Sequence, residues 1–444
     1  PEMKAAFAIE EDHLTPTDLI SRLLKAPVDL IWNGGIGTYI KASDETHAQV
    51  GDRANDGLRI NGRDVRAKII GEGGNLGMTQ RGRIEAAQNG VRLNTDAIDN
   101  SGGVNCSDHE VNIKILLNQA IEAGELDLAA RNALLAEMTD SVAAHVLRQN
   151  YLQPQTISLA LARRENLDDY ARLMQQLEAE DRLDRAIENL PDDASLSKRR
   201  DASDNLTAPE LAVLLAYSKM WLYDHLLASP LPDVPYHQQS LRHYFPAQLA
   251  EKYGKYMATH RLQREITSTW LTNDLVNSLG IAGTWRASLA SGDLPALVNH
   301  YTIAREMSDA AALWQEIEEQ DNRVPATLQI ELELRLRDHL ERCIESLARH
   351  HGARGDDLET AINHLKTRIT ALLATAHAQR GQSRPRDKAA WQNLGLPEAL
   401  AARLAALPLQ FEALNTILAA KDDSSLEEDW QQILTCLAEQ GMFQ

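Results

Sequence analysis

Gly71, Gly73, Gly74 and Gly77 crowd one short segment directly after residues 68–70, a run that ends in two isoleucines. A short β-branched run reads as a buried parallel strand. Glycines at its end let main chain or a ligand approach closely. Thr79 can cap a following helix and Gly90 can close it. Residues 91–95 read as a second short strand and residues 100–104 (NSGGV) as a second tight turn. Ser107 and Glu110 then read as a capping box that starts the next helix. Upstream, residues 28–32 read as another buried strand, with the turn 33–38 (NGGIGT) at its end. Strand, turn and helix in this order build an open α/β sheet, and such sheets bind ligands off the carboxyl ends of their strands. All three turns therefore fall in one candidate crevice. The same glycines also suit plain tight connections, and both readings stand at this level.

Charge and cysteine usage narrow the function classes. The formal net charge of −19 disfavours nonspecific binding to nucleic acid or an anionic membrane. No apolar run approaches the roughly 18 residues that a spanning helix needs, and no signal peptide is visible. Cys106, Cys343 and Cys436 are scattered and odd in number, which fits a reducing cytoplasm and no disulfide framework. Neither CxxC nor HExxH occurs, so no metal site is expected. The 444 residues suffice for several domains. The chain opens on Pro1 and enters patterned sequence with no lead-in, which reads as a piece of a longer polypeptide.

Along the chain, residues 3–9 are expected as a strand. A helix starts at Thr15-Pro16 and ends at Pro27. Residues 44–55 should contain a short helix, and Asp52–Asp56 is either a solvated loop or a flank of the site. Asn61-Gly62 suggests a hairpin between residues 58–60 and 65–70. No G-x-G-x-x-G fingerprint occurs, because Leu76 and Ile40 occupy the third glycine positions. Only three or four strands are expected, about half of a doubly wound sheet. After Leu117, helices take over. Residues 126–149 form one, broken by Pro154, and residues 167–190 another. Thr207 and Glu210 cap an apolar helix over 211–227. Helices follow over 246–279 with an interruption near Gly254, then over 293–319, 325–349 and 358–379. Residues 352–356 and 381–385 read as loops, and three short helices near 388–393, 398–406 and 426–439 finish the chain.

The motifs GEGGNLG and DAIDNSGGVNCSDHE resemble the cofactor-domain tail of glutamate dehydrogenases, which runs E-G-A-N, then P-D-x-x-x-N-x-G-G-V-x-x-S-x-x-E. Glu72, Gly73 and Asn75 fall on the first element. Asp96, Asn100, Gly102, Gly103, Val104, Ser107 and Glu110 fall on the second. NGGIGTYIKAS upstream, and LTAPELAVLLAYSKMWLYDHLLAS, YFP, HRLQREI and LTNDLVNSLG downstream, look most like the large bacterial NAD-specific branch. The ordered spacing makes this more specific than a lone glycine motif. The resemblance implies α/β plus all-α architecture: residues 1–118 as the second half of a Rossmann-like parallel-sheet nucleotide-binding domain, and residues 119–444 as a helical domain.

By the same resemblance the cofactor is NAD, with Gly73, Gly74, Asn75, Asn100, Asn33 and Gly34 around its nicotinamide half. An asparagine amide can donate to and accept from a carboxamide; asparagine also tolerates a left-handed turn position. Ser107 would face the substrate side-chain carboxylate, which favours L-glutamate and 2-oxoglutarate over branched-chain amino acids. Glu110 reads as a cap partner, Glu72 as a carboxylate held by neighbouring amides, and Cys106 as a packed thiol. The lysine and aspartate that move protons in this family match nothing here, so no catalytic residue is named and the chain alone is expected to be inactive. A homo-oligomer is expected. Another amino-acid dehydrogenase of the superfamily, or a non-catalytic helical scaffold, are the alternatives.

Overall fold

The computed structural model describes residues 2–163, 167–350, 358–380 and 386–439. The loops expected at 352–356 and 381–385 lie outside the described residues. The described chain is mostly helical, with two small parallel sheets.

The amino-terminal run is helix α1, Glu2–Phe7, not a strand. Its Glu-Met-Lys-Ala-Ala sequence favours helix locally, and no partner strand lies beside it. Helix α2, Pro16–Leu24, starts as its residues dictate, with Thr15 accepting from the Asp18 amide. It ends three residues before Pro27, since the residue before proline is pushed out of the helical region. Strand β1, Leu30–Asn33, follows, then β2, Ile40–Lys41. Helix α3, His47–Val50, is capped by Thr46 with Gln49 in a reciprocal box.

Strand β3, Ile60–Asn61, pairs parallel with β2, and Gly62–Asp64 is a 3-10 turn. The hairpin expected at Asn61-Gly62 is therefore absent: Glu85 takes the Arg63 amide and the main chain packs onto α4 instead. Strand β4, Ile69–Glu72, lies parallel to β1, with Leu30 opposite Ile69 and Trp32 opposite Gly71. Helix α4, Gln80–Gln88, begins at its Thr79 cap, and Gly90 follows it at φ +91°. The strand expected at 91–95 shrinks to a single bridge between Arg92 and Ile69.

One face of the β1–β4 pair is buried against Leu24, Val28, Val65, Ala67, Val91 and Leu93. The other carries Leu30, Trp32 and Ile69, and all three are exposed, Trp32 by 61%. The expectation that both strands are wholly buried is thus corrected.

Helix α5, Asp96–Asp99, leads into α6, Ser101–Glu122. Ser107 lies inside α6, in its second turn, so it is not a cap; Glu110 pairs with Lys114 one turn on. Pro154 sits within the helix Thr139–Ala162 without ending it, and a separate helix, Leu128–Glu137, precedes it. The segment 293–319 divides into Leu294–Met307 and Ala310–Glu318, where Asp309 takes a left-handed conformation. Ala326–Arg349 forms where a helix is expected, whereas Glu398–Ala419 runs far beyond Ala406 with Pro408 inside it.

The chain gathers into two compact units, one of residues 1–227 and 237–273, the other of 228–236 and 274–444. The first thus includes many helical residues beyond 118 alongside the sheets. The core of the second is built on Leu332, Leu336, Leu340 and Leu347 of Ala326–Arg349, all buried. No described helix is long and apolar enough to cross a membrane.

Candidate functional site

The carboxyl ends of β1 and β4 sit side by side because the two strands are parallel and in register from Leu30–Ile69 to Asn33–Glu72. Asn33 and Gly34 thereby lie beside Gly73, Gly74 and Asn75. The contact is main chain on main chain: the Gly74 amide donates to the Asn33 carbonyl at 2.9 Å. A Cβ on Gly74 would stand 2.4 Å from the Gly35 carbonyl oxygen, and one on Gly77 would meet the side-chain Nδ2 of Asn33 at 1.7 Å. These two glycines are needed for close packing of the turns against each other. Gly34 and Gly35 are exposed, and a Cβ on Gly35 would meet nothing within 4 Å.

The tight turn expected at 100–104 is absent, since residues 101–104 are the first turn of α6, and this third segment joins through side chains. Asn100 Nδ2 donates to Asn75 Oδ1. Asn75 is exposed and Asn100 half-buried. The pairing uses the Asn75 side-chain oxygen and leaves the Asn75 NH2 and the Asn100 side-chain oxygen without a hydrogen bond among the described residues, a donor and an acceptor on paired side chains. Asn100, Val104, Ser107 and Val111 follow the spacing of one helical face. Ser107 therefore lies about 10 Å along α6 from Asn100. Val104, Ser107 and Val111 are exposed, and the Ser107 hydroxyl has no hydrogen bond among the described residues.

Beneath the turn lies an ionic network. Arg83 of α4 binds Glu72 through both arms, Nε to Oε2 at 2.7 Å and an η-nitrogen to Oε1 at 2.9 Å. It also reaches Asp96 at 3.2 Å. Glu72 is 1% exposed and Arg83 5%. Glu72 is thus held by a guanidinium, not by amides; its own amide donates to Asp99 at 3.0 Å. Asp96 accepts from the Leu76 amide at 2.8 Å, and Leu76 takes φ +58°. Burial pushes the Glu72 carboxyl upward, against the pull of Arg83, and burial likewise raises Asp99.

Two further supports flank the site. Asn150, on the helix Thr139–Ala162, donates to the Ile98 carbonyl at 2.9 Å and to Ser101 Oγ at 3.0 Å, bracketing Asn100. Asp52 accepts from the Thr38 amide at 2.9 Å, which holds its carboxyl below the usual range. Arg59 ties the Thr38 carbonyl to Asp56 at 2.7 Å and 2.6 Å. The 52–56 segment is therefore a clasp behind the 33–38 turn. Arg83, Asp99, Arg59 and Asn150 were not legible as site supports. The one available signal was the acid pair Asp96 and Asp99, spaced to share a helix face. Cys106 is exposed, against the packed thiol expected. Among the described residues, no three His, Cys, Asp or Glu side chains are grouped as metal ligands.

Residues 1–160 match the family model of the bacterial NAD-glutamate dehydrogenase catalytic domain, and residues 203–440 match that of the glutamate dehydrogenase C-terminal region. Over 95% of its length the chain is 49% identical to an NAD-specific glutamate dehydrogenase of Pseudomonas aeruginosa. Over the same share it is 44% identical to one of Halomonas elongata. An enzyme of the same name from Mycobacterium tuberculosis is 44% identical over 68% of the chain. The chain spans 26% of the length of the Pseudomonas and Halomonas proteins. With more than half of its residues matched in one model, and most of the remainder in the other, the chain belongs to the bacterial NAD-glutamate dehydrogenase family.

Proposed function

We propose that this chain carries the nicotinamide side of the active site of an enzyme that oxidises L-glutamate to 2-oxoglutarate and ammonia with NAD in the cytoplasm. The observation that carries this reading is the Asn75–Asn100 pair. Its unbonded NH2 and side-chain oxygen are the donor and acceptor that a primary carboxamide needs. The fit extends to the carboxamide end only, since the glycine fingerprint that cradles a pyrophosphate is not in this sequence. Bound NAD supplies the electron acceptor for the hydride that leaves the substrate α-carbon. The chain's own residues bind and orient. Asn75 and Asn100 hold the carboxamide, Gly73, Gly74, Asn33 and Gly34 set how closely main chain approaches it, and Ser107 offers a hydroxyl to the substrate side-chain carboxylate.

The finer fold reading goes with this. Residues 1–118 serve as the second half of a Rossmann-like domain and residues 119–444 as the helical part, in a homo-oligomeric enzyme. The parallel β1–β4 pair supports the first point. So does its exposed apolar face of Leu30, Trp32 and Ile69, a surface that doubly wound sheets cover with further chain.

The test uses the complete enzyme polypeptide. Glutamate-dependent NAD reduction is expected. Asn75→Ala and Asn100→Ala should each raise the KM for NAD about tenfold, the equivalent of one lost hydrogen bond. Ser107→Ala should raise the KM for glutamate by a similar factor and leave that for NAD unchanged. A complete polypeptide that reduces no NAD with glutamate overturns the proposal.

A further inference from the structure

Two carboxylates, Glu72 and Asp96, bind one guanidinium, Arg83, beneath the glycine turn, and Asp99 lies within reach of its charge. Each carboxylate also has a task on the main chain or its neighbour. Glu72 ends strand β4, Asp99 accepts the Glu72 amide, and Asp96 accepts the Leu76 amide next to Asn75. Leu76 at φ +58° is a conformation that a branched apolar residue adopts only when its surroundings impose it. Leu76 is 66% exposed, so packing of its side chain does not impose it. Its main chain is held from both sides: its carbonyl accepts from Thr38 Oγ1 at 2.8 Å, and its amide donates to Asp96, which Arg83 reaches at 3.2 Å.

We propose that Arg83 is the positioning residue of the cofactor turn: by binding Glu72 and Asp96 together it locks Leu76 left-handed and so aims the Asn75 amide. The inference rests on the reading of Asn75 given above. Arg83 reaches neither Asn75 nor the crevice. Apart from Gln80 one turn back on α4, its side-chain partners among the described residues are these two acids, one at the strand end and one on α5. A lysine could supply the charge but not the two-armed grip on Glu72.

The experiment compares Arg83→Lys and Asp96→Asn in the complete enzyme by calorimetric titration with NAD and by residue-level hydrogen exchange of the enzyme without NAD. Arg83→Lys should weaken NAD binding about tenfold and speed exchange of the Leu76 amide by a similar factor. The Ile70 amide, bonded to the Arg92 carbonyl one turn of chain earlier, should not change. The KM for glutamate at saturating NAD should stay within about twofold. Asp96→Asn keeps an acceptor for Leu76 but loses its attraction to Arg83, so it should move the same readouts by about threefold. Asp96 is partly exposed, so this variant decides the matter if Arg83→Lys does not fold. Folded variants with NAD affinity and Leu76 exchange within twofold of the unaltered enzyme overturn the inference. So does equal acceleration at Ile70 and Leu76, the mark of general loosening. An unaltered enzyme that binds no NAD, with variants that still free Leu76, would sink the cofactor reading and leave the positioning intact.

Discussion

At the strand ends of the β1–β4 sheet, buried charge supports a pair of amides, one exposed and one half-buried. Within residues 274–444, buried polar groups support only the interior. There Tyr301 donates to Asp274 Oδ2 at 2.9 Å and lies 2.9 Å from Ser278 Oγ, and Ser308 Oγ lies 2.9 Å from His339 Nε2. Cys343 is 3.6 Å from the same histidine nitrogen and fully buried, and burial raises its thiol well above the usual range. These groups tie helix to helix, and Asp274 is also paired with Arg305 at 3.3 Å. The network around Arg83 sits one residue from solvent and ends on the crevice. The first region is made of glycines, turns and ions, the second of leucine stripes. Polar burial alone therefore does not mark a site.

The sharpest way to break the comparison is to remove a leucine from the helical stripe. Leu336→Ala, at a fully buried position of Ala326–Arg349, should cost about 2–5 kcal/mol in urea unfolding and leave NAD binding by the complete enzyme unchanged. A loss of NAD affinity would show that the two regions are not independent in function.

The second test titrates the helical region. Burial, then the nearby Arg342 charge, push His339 down to about 4. Its folded form therefore binds a proton less readily than its unfolded form. Between those two values the unfolded chain holds more protons, so stability rises with pH and is lost as pH falls from about 6.5 to about 4. The expected loss is about 3 kcal/mol at most. His339→Gln should flatten that slope in thermal melts taken across the window. An unchanged slope would remove His339 as its cause.

The smallest expected effect returns to the turns. Gly74→Ala places a methyl 2.4 Å from the Gly35 carbonyl oxygen, and main chain must shift to admit it. It should cost about 1–3 kcal/mol and weaken NAD binding, because the same shift moves Asn75. Full stability with intact binding would show that the two turns are not packed as described.

The two regions were also unequally legible in the sequence. The helix expected over 325–349 matches Ala326–Arg349 to within a residue, because helix formation there needs only a local stripe and a long run. The break at Asp309 and the continuation through Pro408 were misplaced, since both depend on what packs around them. Near the crevice, Thr79, Gly90 and the parallel β1–β4 pair were readable because caps and strand ends carry local chemistry. Ser107 was misread as a cap: an S-x-x-E pattern inside a continuous helix looks the same on paper, and only the helix start at Ser101 separates the two. The Arg83–Glu72 pair joins residues 11 apart in different elements, a spacing with no local signature.

The uncovered strip of Leu30, Trp32 and Ile69 has a colloidal consequence. A chain carrying −19 repels its copies, and at low ionic strength that repulsion keeps such strips from meeting. At 0.1 M salt the repulsion fades within about 10 Å, and at 1 M within about 3 Å. As long as the strip is bare, salt that would steady an ordinary acidic protein brings this one to its point of self-association.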